Sequence, residues 1–195
     1  MARRRSQARL REGRPDVIAE FGAFALVLGL VMSLAQAGLS AAGRITRSRP
    51  LAGAGEGAAL AAFLGVALAF AALMHGFVTS DFSISNVAAN SHSEKPLLYR
   101  VAGTWGSHEG SMLLWCLALT GYGAVMVVFG AGLSARLRAS AVAVQGALGS
   151  VFLAYTVFAS NPLVRLADPP VEGRSLNPRR GTAGGSPAPG PATAG

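Results

Sequence analysis

One run of seven residues gathers most of the side chains that could form a binding site in this 195-residue sequence. It reads Trp-Gly-Ser-His-Glu-Gly-Ser over residues 105–111, and a further tryptophan follows four residues later. The glycines and serines would let the backbone approach closely to a helix or to a flat ligand. The candidates for such a ligand-adjacent position are Trp105, Gly106, Ser107, His108, Glu109, Gly110, Ser111 and Trp115.

The same run also fits the start of a membrane helix. Ser107 is a good N-cap residue, and Glu109 in the first turn would suit the positive end of the helix dipole. Trp105 and Trp115 suit the belt of aromatic side chains at a membrane surface. On chemistry alone we weigh this structural interpretation above a binding site, and both stay open.

The other candidates for chemistry are isolated from one another. We expect a structural role for His75 near the end of an apolar run, and a solvated side chain for His92 in a polar stretch. His108 beside Glu109 is not a metal signature, because a zinc site needs further ligands at set spacing. The single cysteine, Cys116, has no intrachain disulfide partner. We therefore predict no catalytic residue and no metal site.

Composition determines the class of protein that must position these residues. The chain is 51% hydrophobic and only 13% charged, whereas soluble domains contain roughly 25% charged residues. The net charge of +8 would suit nucleic-acid binding if it formed one basic face. Here the basic residues form short clusters between long neutral runs, which is the pattern of membrane spans and their loops.

Four apolar runs contain no Asp, Glu, Lys or Arg and reach the length of about 20 residues that a membrane helix needs. The run at 57–79 lacks the polar stripe expected of a helix in a soluble bundle. The sequence therefore predicts an all-α, polytopic transmembrane helix bundle with four spans and one long polar extracytoplasmic loop. The predicted divisions are a basic extension at 1–16, a membrane region at 17–164 with spans at about 17–39, 57–79, 110–133 and 139–160, a polar loop at 80–109, and a polar, disordered tail at 165–195.

Basic residues in short loops predict the orientation in the membrane. Five arginines lie in the two loops opposite the long one, and the positive-inside rule then places the loop at 80–109 on the outer face. The six arginines before Asp16 argue for the reverse orientation. The five arginines in the two short loops are Arg44, Arg47, Arg49, Arg136 and Arg138.

From Val17 to about Pro178 the chain resembles the N-terminal part of the CcmF family, the membrane subunits of bacterial cytochrome c maturation. The Trp-Gly-Ser-His-Glu-Gly-Ser run, in its place between two spans, is specific to this group of haem-handling proteins. The matching stretches are IAEFG at 18–22, FVTSDFS at 77–83, VAANS at 87–91, LLYRVA at 97–102, TWGSHEGSMLLW at 104–115, FASNP at 158–162 and EGRSLNP at 172–178.

The resemblance implies a function and a location. Proteins similar to CcmF receive haem from a carrier and attach it covalently to apocytochrome c at the outer face of the bacterial cytoplasmic (inner) membrane. They work with other maturation subunits and hold haem between many more than four spans. The resemblance thus implies a multi-pass membrane protein whose partners are these subunits, the haem carrier and apocytochrome c, with no nucleic acid.

The resemblance ends near Pro178, and the stretch at 179–195 looks unlike the family. None of the family's haem-ligand histidines has a counterpart at His75, His92 or His108, so no catalytic or cofactor-binding residue is carried over. We expect haem in the full-length family and none bound by this chain alone, and whether the chain is an enzyme stays open. The alternatives are a tetraspan scaffold or transporter-like protein without haem chemistry, and a nonfunctional gene fragment.

The two ends of the sequence prompt separate hypotheses. The family begins near Val17, so residues 1–16 are expected to come from a misplaced upstream start, and N-terminal sequencing of the native protein tests this. The change to Gly, Pro and Ala after Pro178 is expected from a frameshift or truncation, which resequencing of the gene tests.

Overall fold

The computed structural model describes residues 17–174, which form six α-helices. Four of these helices are long and apolar enough to cross a membrane, so the prediction of an all-helical protein with four spans is confirmed. Among the described residues, β-type pairing is limited to an isolated antiparallel bridge between Ile84 and Arg165. The helices are α1 (Val17–Thr46), α2 (Arg49–Thr79), α3 (Ser85–Asn90), α4 (Leu97–Gly106), α5 (His108–Phe129) and α6 (Ala135–Phe158), with a 3-10 turn at Gly130–Gly132.

The first two spans are longer than predicted, and only Arg47 and Ser48 connect them. The predicted spans end where charged residues begin. The helices continue beyond the hydrocarbon, because long basic side chains can reach water from there. Pro50 falls in the first turn of α2, where a missing backbone N–H does no harm. Arg47 makes the reversal with a left-handed backbone, at a φ of 56°.

The four long helices pack around one another in a square. α1 lies against α2 and α6, and α5 lies against the same two helices from the opposite corner. Leucines and a valine that are fully buried fill the space between them. Among those with no exposed surface are Leu26, Val66, Leu73, Leu113 and Leu153.

Small residues bring α1 and α2 into backbone contact. A Cβ atom at Gly65 would lie 2.8 Å from the carbonyl oxygen of Ala25 and 3.2 Å from Cα of Gly29. Further along the same seam, a Cβ at Gly43 would lie 2.9 Å from Cα of Ala52. Because lipid tails are as apolar as leucine, such close packing is a main source of stability between membrane helices.

A buried amide network joins α1, α6 and α5 inside the spans. Gln36 on α1 donates from Nε2 to the carbonyl oxygen of Val142 at 2.9 Å, and also to Oε1 of Gln145 on α6. Gln145 in turn donates to the carbonyl oxygen of Leu119 on α5 at 2.8 Å. Both glutamines are less than 9% exposed, and Gly123 leaves the space that the Gln145 amide fills.

Residues 80–109 contain more ordered structure than the predicted polar loop. They include α3, α4 and the start of α5. Ile84 and Val87 are buried against the end of α2, because Gly76 leaves room for the Ile84 side chain. The segment is thus folded onto the bundle through its apolar residues.

The chain after α6 also returns to this segment, although the sequence predicts a disordered tail from residue 165. The Ser85 amide donates to the carbonyl of Val164 at 2.8 Å, and the Leu166 amide donates to that of Ser83 at 2.9 Å. These hydrogen bonds join residues about 80 positions apart, which local sequence patterns do not reveal. The extension at 1–16 and the rest of the tail, at 175–195, lie outside the described residues.

We predict that Gly65→Val lowers the free energy of unfolding by about 1–3 kcal/mol more than Gly57→Val, because overpacking would force α1 and α2 apart. Gly57 lies on the same helix, and a Cβ atom there would have no other atom within 4 Å, so this variant controls for the helix propensity of valine. Unfolding in detergent can be followed by labelling of Cys116, which is only 1% exposed. Equal stability of the two variants would contradict the close backbone contact of α1 and α2 at Gly65.

Candidate functional site

The Trp105–Ser111 run forms the corner between α4 and α5. Ser107 stands between the two helices in an extended conformation, and its Oγ accepts a hydrogen bond from the Gly110 amide at 3.1 Å. The predicted N-cap is therefore confirmed, with Glu109 in the first turn of α5. A Cβ atom at Gly110 would collide with the carbonyl oxygen of Thr104, so this corner needs a glycine.

The eight candidates separate into residues that build the corner and residues that face outward. Ser107 and Gly110 are buried, while Glu109 and Ser111 are partly buried. Trp105 and Trp115 are 42% and 68% exposed. Gly106 and His108 are also exposed. The outward-facing group is thus Trp105, Gly106, His108 and Trp115.

His108 links the start of α5 to the end of α6. Its Nδ1 lies 3.5 Å from Oγ of Ser160, and its carbonyl accepts a hydrogen bond from Oγ of Ser111 at 3.0 Å. By helical spacing, His108, Ser111 and Trp115 lie on one face of α5. Within residues 17–174, no group of three or more His, Cys, Asp and Glu side chains could hold a metal ion.

Helix α4 adds an apolar surface that sequence reasoning missed by treating 80–109 as a polar loop. Leu97, Leu98 and Tyr99 are all more than half exposed, and Trp105 lies in the last turn of the same helix. The opposite side of α4 rests on α2, where a Cβ at Gly103 would lie 2.9 Å from the Phe77 ring. The apolar residues at 98, 102 and 105 have helical spacing, which is the signal that could have identified this helix.

An arginine ties α4 to the end of α2. Arg100 donates from Nη1 to the carbonyl oxygen of Val78 at 2.9 Å and to Oγ of Ser80 at 3.2 Å. Ser80 ends α2 in a left-handed conformation with a φ of 56°. A cation at a helix C-terminus satisfies carbonyls that lack partners and suits the negative end of the helix dipole.

The segment after α6 is fastened by Glu172. Its carboxylate accepts hydrogen bonds from the Ser93 amide at 3.0 Å and the Ser93 hydroxyl at 2.7 Å, and from the Gly173 amide at 3.1 Å. The His92 ring lies 3.9 Å away. The hydrogen bonds from Ser93, and more weakly the one from Gly173, lower the pKa of Glu172 below its ordinary value.

The isolated ionisable residues have separate environments. His75 is exposed on the last turns of α2, and His92 is partly buried beside Glu172 instead of freely solvated. Glu20 near the start of α1 accepts a hydrogen bond from Arg165 at 3.0 Å. The thiol of Cys116 is buried 3.3 Å from Oγ1 of Thr156. None of these residues joins the Trp105–Ser111 corner to form a larger site.

These features define an all-helical membrane protein with a folded segment at one end of four spans. No family model matches the chain. Curated relatives include a cytochrome c-type biogenesis protein of Rhodobacter capsulatus, 49% identical over 172 residues and covering 83% of this chain and 25% of the relative. CycK of Bradyrhizobium diazoefficiens is 46% identical over 162 residues, or 83% of this chain and 24% of the relative. CcmF of Escherichia coli is 43% identical over 117 residues, or 60% of this chain and 18% of the relative.

A solved structure of the cytochrome c haem lyase CcmF superposes on this fold with a TM-score of 0.71 at 26% identity. The superposition covers 75% of this chain and 24% of the lyase. The chain corresponds to the N-terminal quarter of the CcmF family of cytochrome c-type biogenesis proteins, so the resemblance read from the sequence is confirmed. It spans about a quarter of the length of the curated relatives it matches.

We predict that acid loosens the contact between Glu172 and Ser93. A carboxyl group whose pKa is lowered by folding stabilises the folded state above its ordinary pKa, and this contribution is lost as pH falls through the lowered value. The protection of the Ser93 amide against hydrogen exchange, measured relative to an unstructured peptide at each pH, should therefore fall on acidification. Glu172→Gln should reduce that protection at neutral pH and remove its acid dependence.

Asp168→Asn is the matched control, because Asp168 is an exposed carboxylate in the same segment. It should leave the pH profile of Ser93 protection unchanged. An acid dependence that survives in Glu172→Gln would show that another group holds the segment.

Proposed function

We propose that this chain is the N-terminal, four-span part of a membrane subunit of cytochrome c maturation. In this proposal the whole protein receives haem from a carrier and helps attach it covalently to apocytochrome c at the outer face of the cytoplasmic membrane. The observation that carries the proposal is the match of 83% of this chain to relatives named as cytochrome c-type biogenesis proteins. The involvement of haem, the carrier and the other maturation subunits is proposed for the whole protein, and this chain matches about a quarter of the named relatives.

The part played by the four spans is to hold the segment at 80–107 in place. Three contacts support this role. Arg100 ties α4 to the end of α2, Glu172 fastens residues 92–93, and Ser107 sets the corner at which α5 begins. A segment fixed at several points along its length can present side chains to a partner with little loss of conformational entropy.

We assign different roles to the buried and the exposed candidates among residues 105–115. Ser107 and Gly110 form the corner, and their role is architectural. The exposed side chains of Trp105, His108 and Trp115 are the haem-adjacent candidates. Indole rings offer large, rigid and flat contact surfaces, which suits a planar ligand or the protein that delivers it.

Charge favours an orientation with this segment outside. The end of the bundle that contains the α1–α2 and α5–α6 connections carries five arginines and, among the described residues, one glutamate. Within residues 17–174, the opposite end carries four basic residues and six acidic ones, of which four acidic residues lie at 80–107 and 165–174 and the other two are Glu20 and Glu109 at the starts of α1 and α5. Under the positive-inside rule, the arginine-rich end lies in the cytoplasm.

We predict that alkaline phosphatase, which is active only outside the cytoplasm, is active when fused after Ser93 and inactive when fused after Gly132. Both positions lie between candidate spans, so each fusion serves as the expression control for the other. Activity in the second fusion and not in the first would reverse the proposed orientation.

The function itself is tested by deleting the gene and staining c-type cytochromes for haem after denaturing electrophoresis, which retains only covalently bound haem. We expect the stained bands to disappear and to return when the gene is restored. The Trp105→Ala/Trp115→Ala variant should restore little staining. Phe129→Ala, which removes an aromatic side chain 78% exposed at the other end of α5, should restore staining fully.

Unchanged cytochromes in the deletion strain would contradict the proposed function and favour a scaffold without haem chemistry, or a gene fragment without a role. Full restoration by the double tryptophan variant, with the deletion itself effective, would contradict only the role assigned to the two indoles. The amount of each variant in the membrane must be measured by immunoblot, so that lost staining is not a loss of protein.

A further inference from the structure

The end of the bundle opposite the folded segment contains a cavity of about 290 Å³, which we call the arginine pocket. It lies where the α1–α2 connection meets the start of α6. Four arginines line it, together with small residues of which two are buried. Its principal residues are Arg44, Arg47, Arg49, Arg136, Gly43 and Ala139.

The positive charge of this pocket is not balanced within the described residues. The ion pairs among residues 17–174 involve none of the four pocket arginines. Glu56 is the described acidic residue at this end, and it is already paired with Arg138, whose Nε lies 2.7 Å from its Oε1. Guanidinium groups stay protonated at all physiological pH values, so the pocket keeps its full charge.

Two helices add to this charge. α2 begins at Arg49 and α6 begins at Ala135, so the positive ends of two helix dipoles meet at the pocket, together with the negative end of α1, where Arg44 lies in the last turn. The Ser48 side chain makes no capping hydrogen bond to α2. Arg49 and Arg136 therefore occupy first-turn positions where a positive charge is unfavourable and an acidic residue is preferred. An anion in the pocket would turn this unfavourable arrangement into a favourable one.

Exposed apolar residues next to the pocket arginines in the sequence, and the position of the pocket at the ends of the spans, indicate which anion fits. Ile45 and Leu137 each follow a pocket arginine in sequence and are 78% and 56% exposed. The pocket also lies at the ends of helices long enough to cross a membrane. A soluble phosphate would contact the arginines alone, whereas a lipid would place its phosphate among the arginines and its acyl chains along the apolar surface of the spans.

We propose that the arginine pocket binds the phosphodiester headgroup of an anionic phospholipid. Arginine pairs with phosphate through two parallel hydrogen bonds, and basic pockets between membrane helices on the cytoplasmic side suit such headgroups. The positive-inside rule accounts for basic residues in these connections, but topology alone requires neither a cavity nor two helix N-termini directed at it. The bound lipid fastens the α1–α2 connection to the start of α6.

The test uses the full chain in a neutral detergent at physiological salt, with phosphatidylglycerol added in mixed micelles and phosphatidylcholine as the uncharged reference. Labelling of Cys116 reports the unfolding temperature. We expect phosphatidylglycerol to raise this temperature in the wild-type protein. Arg49→Gln/Arg136→Gln should raise the half-saturating lipid concentration about fivefold for each arginine removed, or about 30-fold for the pair.

Without anionic lipid, the same variant should unfold at the wild-type temperature or above it, because two unfavourable charges leave the helix N-termini. The control Arg165→Gln/Arg174→Gln removes two positive charges from the opposite end and should respond to phosphatidylglycerol as the wild type does. This control separates the pocket from a general effect of net charge.

Three outcomes would overturn the proposal. Equal lipid responses in the pocket variant and the wild type would show that the pocket is not the site. A lower unfolding temperature of the pocket variant without lipid would show a structural role for the arginines. Stabilisation of the wild type by inorganic pyrophosphate as effectively as by phosphatidylglycerol would assign the pocket to a soluble phosphate.

Discussion

The buried amide pair of Gln36 and Gln145 is the constraint on which the arrangement of the spans depends. In hydrocarbon, a polar side chain without a partner is unstable, and water cannot supply one. Each amide therefore has to find a specific acceptor, and the carbonyl oxygen of Leu119 completes the chain of hydrogen bonds. Apolar packing tolerates small rotations of a helix, whereas these bonds fix the rotation and depth of α1, α5 and α6 together.

The fixed rotation of α5 has effects at both ends of the bundle. At one end it directs the exposed residues of the Trp105–Ser111 run away from the core, and at the other it sets where the chain turns into α6. The close backbone contact of α1 and α2 then places Arg47 beside the start of α6. One end is thus a folded segment at which acidic residues outnumber basic ones within residues 17–174, and the other contains a basic cavity.

Local patterns were sufficient to predict the four spans and the cap at Ser107. Uncharged apolar runs identify membrane helices by length alone, and a cap involves residues three positions apart. The remaining features depend on contacts that are distant in sequence. Gln36 and Gln145 lie 109 positions apart, and residues 165–174 pair with a segment about 80 positions earlier. Helix α4 is not predicted because the polar residues at 80–109 indicate a loop, and the roles of the exposed site residues stay predictions.

The short connection at Arg47 and Ser48 has a consequence for biosynthesis. Two spans joined by two residues cannot enter the bilayer far apart in time, so α1 and α2 insert as one helical hairpin whose backbone seam closes at once. Gln36 then enters the membrane before Gln145 has been synthesised. Until α6 arrives, its amide must be satisfied by water at the translocation channel or by another chain, so the bundle is completed only when the last of the four spans is in place.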